Sequence, residues 1–158
     1  MSKFIFIIII LKFSSYVFAE DKNCFHDDNN LRCVKYIKNY DGDTITFNIS
    51  NVHPLLGKKI NVRVLGIDTP ELKTLNVCEK DKARSAKKLV NTLLKKANRI
   101  DLENIKRDKY FRILADIKFD GKSLKEILIK NNLAYGYFGK AKITQNWCSS
   151  NRQTATKK

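Results

Sequence analysis

Apolar and polar residues alternate with a two-residue period through the first half of the chain, as in strands that bury one face. The alternation is clearest in residues 44–49 and 60–65. Asp41-Gly42-Asp43 precedes the first of these runs, and an Asp-Gly pair accepts the positive φ of a hairpin turn. Five strands are predicted in total, at residues 33–38, 44–49, 60–65, 99–105 and 110–119.

A period of 3.6 residues between apolar positions predicts two helices. In residues 80–97 the apolar side chains share one face, and lysines cover most of the remainder, which we interpret as solvated surface rather than a specific groove for nucleic acid. The second helix begins after Ser123, whose hydroxyl can cap the first turn with Glu126 three residues later. We expect it to end near Asn131.

The predicted order is three strands, a helix, two strands and a helix. A parallel α/β sheet would need a helix after most strands. The order therefore favours an α+β, mainly β fold, namely a five-stranded Greek-key barrel of the oligonucleotide-binding type (OB-fold) with two helices, or three if the C-terminal region forms another. Such barrels often bind nucleic acid, but the fold alone does not establish chemistry.

Residues 1–19 have the features of a secretory signal peptide. A short basic start precedes the apolar run 4–11, and Val17 and Ala19 are small residues three and one positions before a cleavage site. A membrane anchor needs about 20 apolar residues, whereas Lys12 interrupts this run. We therefore expect an exported protein, periplasmic or secreted, with no stable membrane association after cleavage.

The rest of the chain is predicted to be one monomeric domain with a basic surface. The full sequence has 31 Lys and Arg against 16 Asp and Glu, a net charge of +15, and residues 1–19 contribute only two of these cations. A charge of this size favours polyanionic partners such as nucleic acid. The predicted segments are an N-terminal extension at 20–32, the domain at 33–148 and a disordered basic tail at 149–158.

All four cysteines lie beyond the predicted signal peptide. An even number of cysteines in a small exported protein indicates two disulfides, for which three pairings exist. We favour Cys24 with Cys33, which closes a short loop, and Cys78 with Cys148, which ties the middle of the chain to its end. A zinc site is disfavoured, because there is no C-x-x-C pair and the two histidines are not at ligand spacing.

Three acidic residues, Asp43, Asp68 and Glu71, fall at the ends of predicted strands. Between them, Thr69 precedes a proline, which restricts it to extended backbone and fixes the direction of its carbonyl. Two carboxylates and a backbone carbonyl, completed by water, suit Ca²⁺, which takes oxygen ligands in flexible geometry. The alternative is that each aspartate only caps a turn.

Two arginines add a second element to this chemistry. Arg63 is a charged residue in an otherwise apolar strand, so it needs a carboxylate, a phosphate or solvent beside it. Arg112, in the fifth predicted strand, stands where a second guanidinium could join it. Two guanidinium groups beside a metal ion form a recurring clamp for a phosphoryl group, and Glu71 is then available as a general base for water.

The order and spacing of these residues resemble the staphylococcal nuclease (thermonuclease) family over about residues 33–148. The D-T-P-E block with its upstream arginine is the specific part of the match, whereas D-G-D-T alone would be a weak one. The matching segments are Tyr40-Asp41-Gly42-Asp43-Thr44, Val62-Arg63-Val64-Leu65-Gly66-Ile67-Asp68-Thr69-Pro70-Glu71, Asp108-Lys109-Tyr110-Phe111-Arg112-Ile113-Leu114-Ala115 and Asn132-Leu133-Ala134-Tyr135.

The resemblance implies a Ca²⁺-dependent nuclease that hydrolyses DNA and RNA at the 5′-oxygen and leaves 3′-phosphates. It implies Ca²⁺ held by Asp43, Asp68 and the Thr69 carbonyl, Glu71 as base or water-orienting group, and phosphate contacts from both arginines. The alternative function is a non-catalytic nucleic-acid-binding OB-fold module. A module that only binds has no reason to keep three acids beside a phosphate, because they repel the ligand unless a cation intervenes.

The resemblance also implies contacts to a bound nucleotide. Lys109 and Tyr110 match nucleotide-contacting positions, and Tyr137 is predicted to stack on a base, with ordinary packing as the alternative. Phe111 departs from the family pattern, since the best-known member has glycine there. The C-terminal helix of that member has little room here, and Trp147 beside the last cysteine is expected to replace its packing.

Overall fold

The computed structural model describes residues 24–108, 110–137, 139 and 145–148. The predicted signal peptide, the predicted basic tail and Lys109 lie outside the described residues. The strands are β1 (Lys35–Asn39), β2 (Thr44–Asn48), β3 (Ile60–Val64), β4 (Ile67–Asp68), β5 (Ile100–Arg107), β6 (Ile113–Phe119), β7 (Lys122–Ser123) and β8 (Tyr135–Gly136). The helices are α1 (Pro54–Gly57), α2 (Val77–Lys96) and α3 (Leu124–Lys130).

The main sheet has the strand order β1-β2-β3-β6-β5, and β7 pairs with the last two residues of β6. β3 and β6 pair in parallel and the other neighbours pair antiparallel. The outer strands β1 and β5 do not form a ladder with each other, so the barrel is not fully closed. The chain before β1 partly bridges this opening, because Leu31 and Leu102 exchange two backbone hydrogen bonds of 2.8 Å.

Alternating side chains of the sheet and one face of α2 form a single hydrophobic core. In β3, Val62 and Val64 point into this core, as the two-residue period predicts, and Arg63 points the other way. The predicted apolar face of α2 is buried at Ala83, Ala86, Val90 and Leu94. The helix begins three residues earlier than expected, because the Asn76 side chain caps its first turn by accepting from the Glu79 amide.

Two local predictions need correction. Gly42 has no positive φ; its lack of a side chain is needed for space, since a Cβ there would lie 2.9 Å from the Cβ of Ala86 and 3.0 Å from Cγ2 of Thr69. The fifth predicted strand begins at Ile113 rather than 110, because residues before it turn back on Asp108. The short elements α1, β4, β7 and β8 were not predicted, because two to four residues show no periodicity.

The cysteines pair as predicted. Cys24 bonds to Cys33 and Cys78 to Cys148, with Cα–Cα distances of 5.4 and 6.0 Å, both in the usual range for a disulfide. The second bond joins the first turn of α2 to the end of the described chain. Within the described residues, no helix is both long enough and apolar enough to span a bilayer.

Candidate active site

Arg63 connects two buried carboxylates. Its guanidinium donates from Nη1 to Asp43 Oδ1 at 2.8 Å and from Nη2 to Asp68 Oδ1 at 2.6 Å. Antiparallel pairing puts Arg63 opposite Thr44, directly beside Asp43, which explains the first contact. The Arg63 side chain is 18% exposed whereas those of Asp43 and Asp68 are 2% and 4% exposed, so Arg63 is the most exposed member of the cluster.

Asp43 is held by the turn that precedes β2. The carboxylate of Asp41 accepts from the backbone amides of Asp43 and Thr44, at 3.0 and 2.7 Å, and so fixes the turn. Burial raises the pKa of Asp43 to about 7, although the charge of Arg63 opposes the increase, and the nearby charges of Asp41 and Asp68 raise the pKa further. A cation at this carboxylate would offset its burial.

Asp68 and Thr69 lie at the end of β4, against the first acid. The Thr69 amide donates to Asp43 Oδ2 at 3.2 Å, which places the Thr69 backbone beside Asp43. Asp68 Oδ2 accepts from the Tyr135 hydroxyl at 2.9 Å, and the Tyr135 ring packs against Trp147 with a centroid distance of 5.5 Å. Sequence reasoning missed this role of Tyr135, whose only signal was its place in the last matching segment.

Glu71 lies three residues beyond Asp68, on the loop between β4 and α2. The residue is exposed, and its backbone amide donates to Glu79 Oε1 at 3.1 Å. Thr74 also donates to the Glu79 carboxylate, at 2.9 Å, so Glu79 fixes the course of this loop. Sequence reasoning did not find Glu79. Glu71 thus lies near the start of α2 and is in contact with solvent.

Arg112 lies in the loop between β5 and β6, in a separate cluster around Asp108. Its Nε donates to Asp108 Oδ2 at 2.7 Å, and the amides of Tyr110 and Arg112 donate to Oδ1 at 2.8 and 2.9 Å. The guanidinium lies 5.5 Å from the centroid of the Tyr110 ring. In the parallel pairing of β3 with β6, Leu114 lies opposite Arg63, so Arg112 comes two residues before the position that faces Arg63. No role for Asp108 was predicted from the sequence.

The aromatic residues of this region differ in exposure. Tyr110 and Phe111 are 66% and 79% exposed, and Phe111 has a φ of +61°. Glycine adopts this left-handed backbone without a steric penalty, whereas phenylalanine does not. Tyr137 is half-buried, and its amide donates to the Gly66 carbonyl at 2.9 Å, which holds it next to the β3–β4 turn.

The donor set fits a hard cation better than a transition metal. Asp43 and Asp68 offer carboxylate oxygens, and the Thr69 backbone beside them offers a carbonyl, which are the ligand types that Ca²⁺ prefers. Among the described residues, no three or more His, Cys, Asp or Glu side chains are grouped to hold a metal ion. Any site here would therefore depend on the carbonyl and on water to complete its ligands.

Residues 61–158, more than half of the chain, match the family described as staphylococcal nuclease homologue. The chain belongs to this family. The match includes Arg63, Asp68, Thr69 and the Asp108 loop, and Asp43 lies before it. Because the family has the OB-fold, the prediction of an α+β, mainly β fold of this type is confirmed, with three helices in the described chain and a barrel left partly open.

Two relatives from Bacillus subtilis (strain 168) carry endonuclease names. The chain is 44% identical over 118 residues to Endonuclease YncB, covering 69% of this chain and 51% of the relative. It is 42% identical over 103 residues to SPbeta prophage-derived endonuclease YokF, covering 60% of this chain and 30% of the relative. The chain thus spans about half or less of the length of these relatives.

Proposed function

We propose that this protein is a nuclease, specifically a Ca²⁺-dependent phosphodiesterase that hydrolyses DNA and RNA at the 5′-oxygen and leaves 3′-phosphates. Family membership and the endonuclease names of both relatives support phosphodiester hydrolysis. The observation that carries the proposal is Arg63, a partly exposed arginine whose guanidinium lies between two buried carboxylates. This arrangement places a hydrogen-bond donor for a phosphate oxygen next to carboxylates that can bind a cation.

Asp43, Asp68 and the Thr69 carbonyl would hold the Ca²⁺ ion. When bound, Ca²⁺ supplies positive charge that neutralises a phosphate oxygen and allows the two acids to stand beside an anionic substrate. Arg63 has five N–H donors, of which two serve the acids. The guanidinium therefore has donors beyond these two for a phosphate oxygen.

In the proposed reaction, Glu71 accepts a proton from the attacking water, a function suited to its exposed position. The water oxygen bonds to phosphorus, and Arg63 and Arg112 stabilise the negative charge that grows on the phosphoryl oxygens. The bond from phosphorus to the 5′-oxygen then breaks, and the 5′-oxygen takes a proton from solvent. Arg112 is half-exposed on a loop braced by Asp108, so its guanidinium is held in an accessible position. Lys109, Tyr110 and Tyr137 are proposed to contact the bound nucleotide.

The alternative function is a nucleic-acid-binding module without catalysis. One observation favours it, because both terminal nitrogens of Arg63 already donate to acids, and such a triad could serve stability alone. The low exposure of Asp43 and Asp68 argues against it. Burying two carboxylates beside one arginine is costly unless a cation compensates the second charge, and a binding module gains nothing from that cost.

The test is cleavage by the purified mature protein of single-stranded DNA and of RNA, in Ca²⁺, in Mg²⁺ and in chelator, with identification of the end groups. We expect cleavage of both substrates in Ca²⁺, with 3′-phosphate ends, and none in chelator. Arg63→Ala, Glu71→Gln and Arg112→Ala should each reduce cleavage at least about a hundredfold. Binding without cleavage in Ca²⁺ would support the alternative, and full activity of Arg112→Ala would remove that residue from the mechanism.

We also propose that the protein is exported to the periplasm or the medium and acts as a monomer. The pattern of residues 1–19 and the two disulfides, which persist in oxidising compartments, support export. Cell fractionation with mass spectrometry of the mature N-terminus tests this proposal. A chain that starts at Glu20 outside the cytoplasm is the expected result, and an intact N-terminus in the cytoplasm contradicts it.

A further inference from the structure

A groove of about 450 Å³ lies between β1 and α2, outside the cluster of Arg63 and the two acids. Strand β1, an edge strand of the main sheet, forms one wall of the groove, and α2 forms the other. Four cations line the groove, and none of the described residues that line it is acidic. The lining residues are Tyr36, Ile37, Lys38, Asn39, Arg84, Lys87, Lys88 and Asn91.

A hydrogen-bond network fixes the floor of this groove. The Tyr36 hydroxyl lies 2.6 Å from Asn39 Oδ1 and 2.9 Å from Asn91 Oδ1, so it links β1 to α2. Asn39 is buried, and its Nδ2 donates to the carbonyls of Asp41 and Lys87, at 2.7 and 3.1 Å. The groove is therefore a defined part of the fold, and its lysines project from a backbone that is held in place.

The same network connects the groove to the candidate active site. Asn39 donates a hydrogen bond to the Asp41 carbonyl, and the Asp41 carboxylate accepts one from the Asp43 amide. Asp43 follows Asn39 by four positions, so the two Cα atoms lie at most about 14 Å apart. Each strand of a DNA duplex advances about 3.4 Å along the helix axis per nucleotide, so this upper limit corresponds to about four nucleotides of a strand in duplex geometry.

We propose that the groove between β1 and α2 binds the phosphodiester backbone of a nucleic-acid strand whose cleavage occurs at the Arg63 cluster. The inference rests on the proposed nuclease function. It also changes our interpretation of the lysine face of α2, which the sequence alone presented as solvated surface. An anionic membrane would instead require a broad apolar face beside the charges, whereas this groove is concave and its one exposed aliphatic residue is Ile37 among those described.

The charge contribution of the groove can be measured with two variants that each remove three lysines. The groove variant leaves Arg84 unchanged, because Arg84 is paired with Asp81 at 3.0 Å. The control variant removes three exposed lysines from other elements, so both proteins have the same net charge. The substitutions are Lys38→Gln, Lys87→Gln and Lys88→Gln for the groove, and Lys58→Gln, Lys122→Gln and Lys130→Gln for the control.

Binding of a fluorescein-labelled 20-nucleotide single-stranded DNA is measured in chelator over a range of salt concentrations, so that no cleavage occurs. Each phosphate contact contributes about 0.7 to the slope of log K against log salt for single strands, so we expect the groove variant to lose about 2 of the wild-type slope. The control should lose much less. In Ca²⁺, cleavage of the 20-nucleotide strand by the groove variant should show a KM about tenfold higher, with cleavage of a trinucleotide equal to that of the control.

Three outcomes overturn the inference. If the groove and control variants lose the same slope, the lysines act only through net charge. If the groove variant binds the DNA like the wild type but loses binding to anionic vesicles, the groove recognises a membrane. If the groove variant has a lower melting temperature than the control, and its cleavage of the trinucleotide falls as much as its cleavage of the 20-nucleotide strand, the effect of the substitutions is structural. Wild-type protein that binds DNA without cleaving it in Ca²⁺ contradicts the proposed nuclease function instead, and leaves the binding comparison valid.

Discussion

At the scale of single residues, Arg63 compensates the negative charge of the two buried acids, Asp43 and Asp68. Removing it leaves Asp43 and Asp68 without their shared cation. Breaking a buried ion pair on one side costs about 3–5 kcal/mol, and the partial exposure of Arg63 puts the expected loss for Arg63→Ala at about 3 kcal/mol. Urea denaturation in chelator measures this loss. Adding Asp43→Asn should restore part of the stability, and a double variant less stable than Arg63→Ala would contradict the argument.

Phe111 destabilises the fold through its backbone conformation, because its φ of +61° lies in the left-handed region. A left-handed φ costs a non-glycine residue about 1–2 kcal/mol, and a bulky residue in this region is unusual. Glycine removes that cost but adds about 0.5–1 kcal/mol of backbone entropy. Phe111→Gly should therefore stabilise the protein by about 0.5 kcal/mol, seen in its denaturation midpoint. Phe111→Ala, which keeps the unfavourable φ, is the control and should show no gain.

At the scale of elements, the two disulfides should contribute unequally to stability. Cys24–Cys33 closes a separation of 9 residues and Cys78–Cys148 one of 70. In the chain-entropy treatment these values correspond to about 2.6 and 4.4 kcal/mol. Replacing the long-range pair by serines should therefore lower the free energy of unfolding more than replacing the short-range pair. Equal losses would show that chain entropy is not what the long-range bond contributes.

The contact between β6 and α3 predicts a dependence of stability on pH. Burial alone would raise the pKa of Asp116, but hydrogen bonds from Lys125 at 2.6 Å and Asn104 at 2.9 Å, with the charges of Lys125 and Lys118, outweigh it and lower the pKa. Because the pKa of Asp116 is lower in the folded state, its ionised carboxylate stabilises the fold at a pH above the unfolded pKa of about 4. This stabilisation is lost as the pH falls through the pKa of the folded state. The contribution is thus present at pH 7.

Melting temperatures of the wild type and of Asp116→Asn, measured between pH 7 and pH 3, test this dependence. The variant should be less stable at pH 7, and the difference should shrink below about pH 4. Asp28→Asn, at an exposed position of the N-terminal turn, controls for the loss of one negative charge. A difference between wild type and Asp116→Asn that stays constant down to pH 3 would contradict the assignment.

The sequence predicted those elements whose length allows a period to be seen. The alternation in β2 and β3 and the apolar face of α2 extend over five or more residues, so the strands, the helix and the outward position of Arg63 followed from them. The pairing of β4 with β8 could not be predicted, because each has two residues. The bond from Tyr135 to Asp68 depends on that pairing across 67 positions of sequence, and no local pattern records it.

At the scale of the whole molecule, the proposed ion links the site to global stability. Its ligands come from the β1–β2 turn and from β4, so binding to the folded state alone connects segments that are distant in sequence. An ion present at 100 times its dissociation constant stabilises the folded state by about 2.7 kcal/mol, which corresponds to about 10 °C in melting temperature for a domain of this size. We therefore expect the melting temperature to rise with Ca²⁺ concentration.

The same measurement on Asp43→Asn and Asp68→Asn separates binding at this site from general screening of the basic surface. Both variants should melt at temperatures that no longer respond to Ca²⁺ up to millimolar concentrations, whereas Asp28→Asn should respond like the wild type. Screening acts through ionic strength and would affect all four proteins equally. An equal rise in all of them would place the effect of Ca²⁺ on the surface charge and remove Asp43 and Asp68 from the set of ligands.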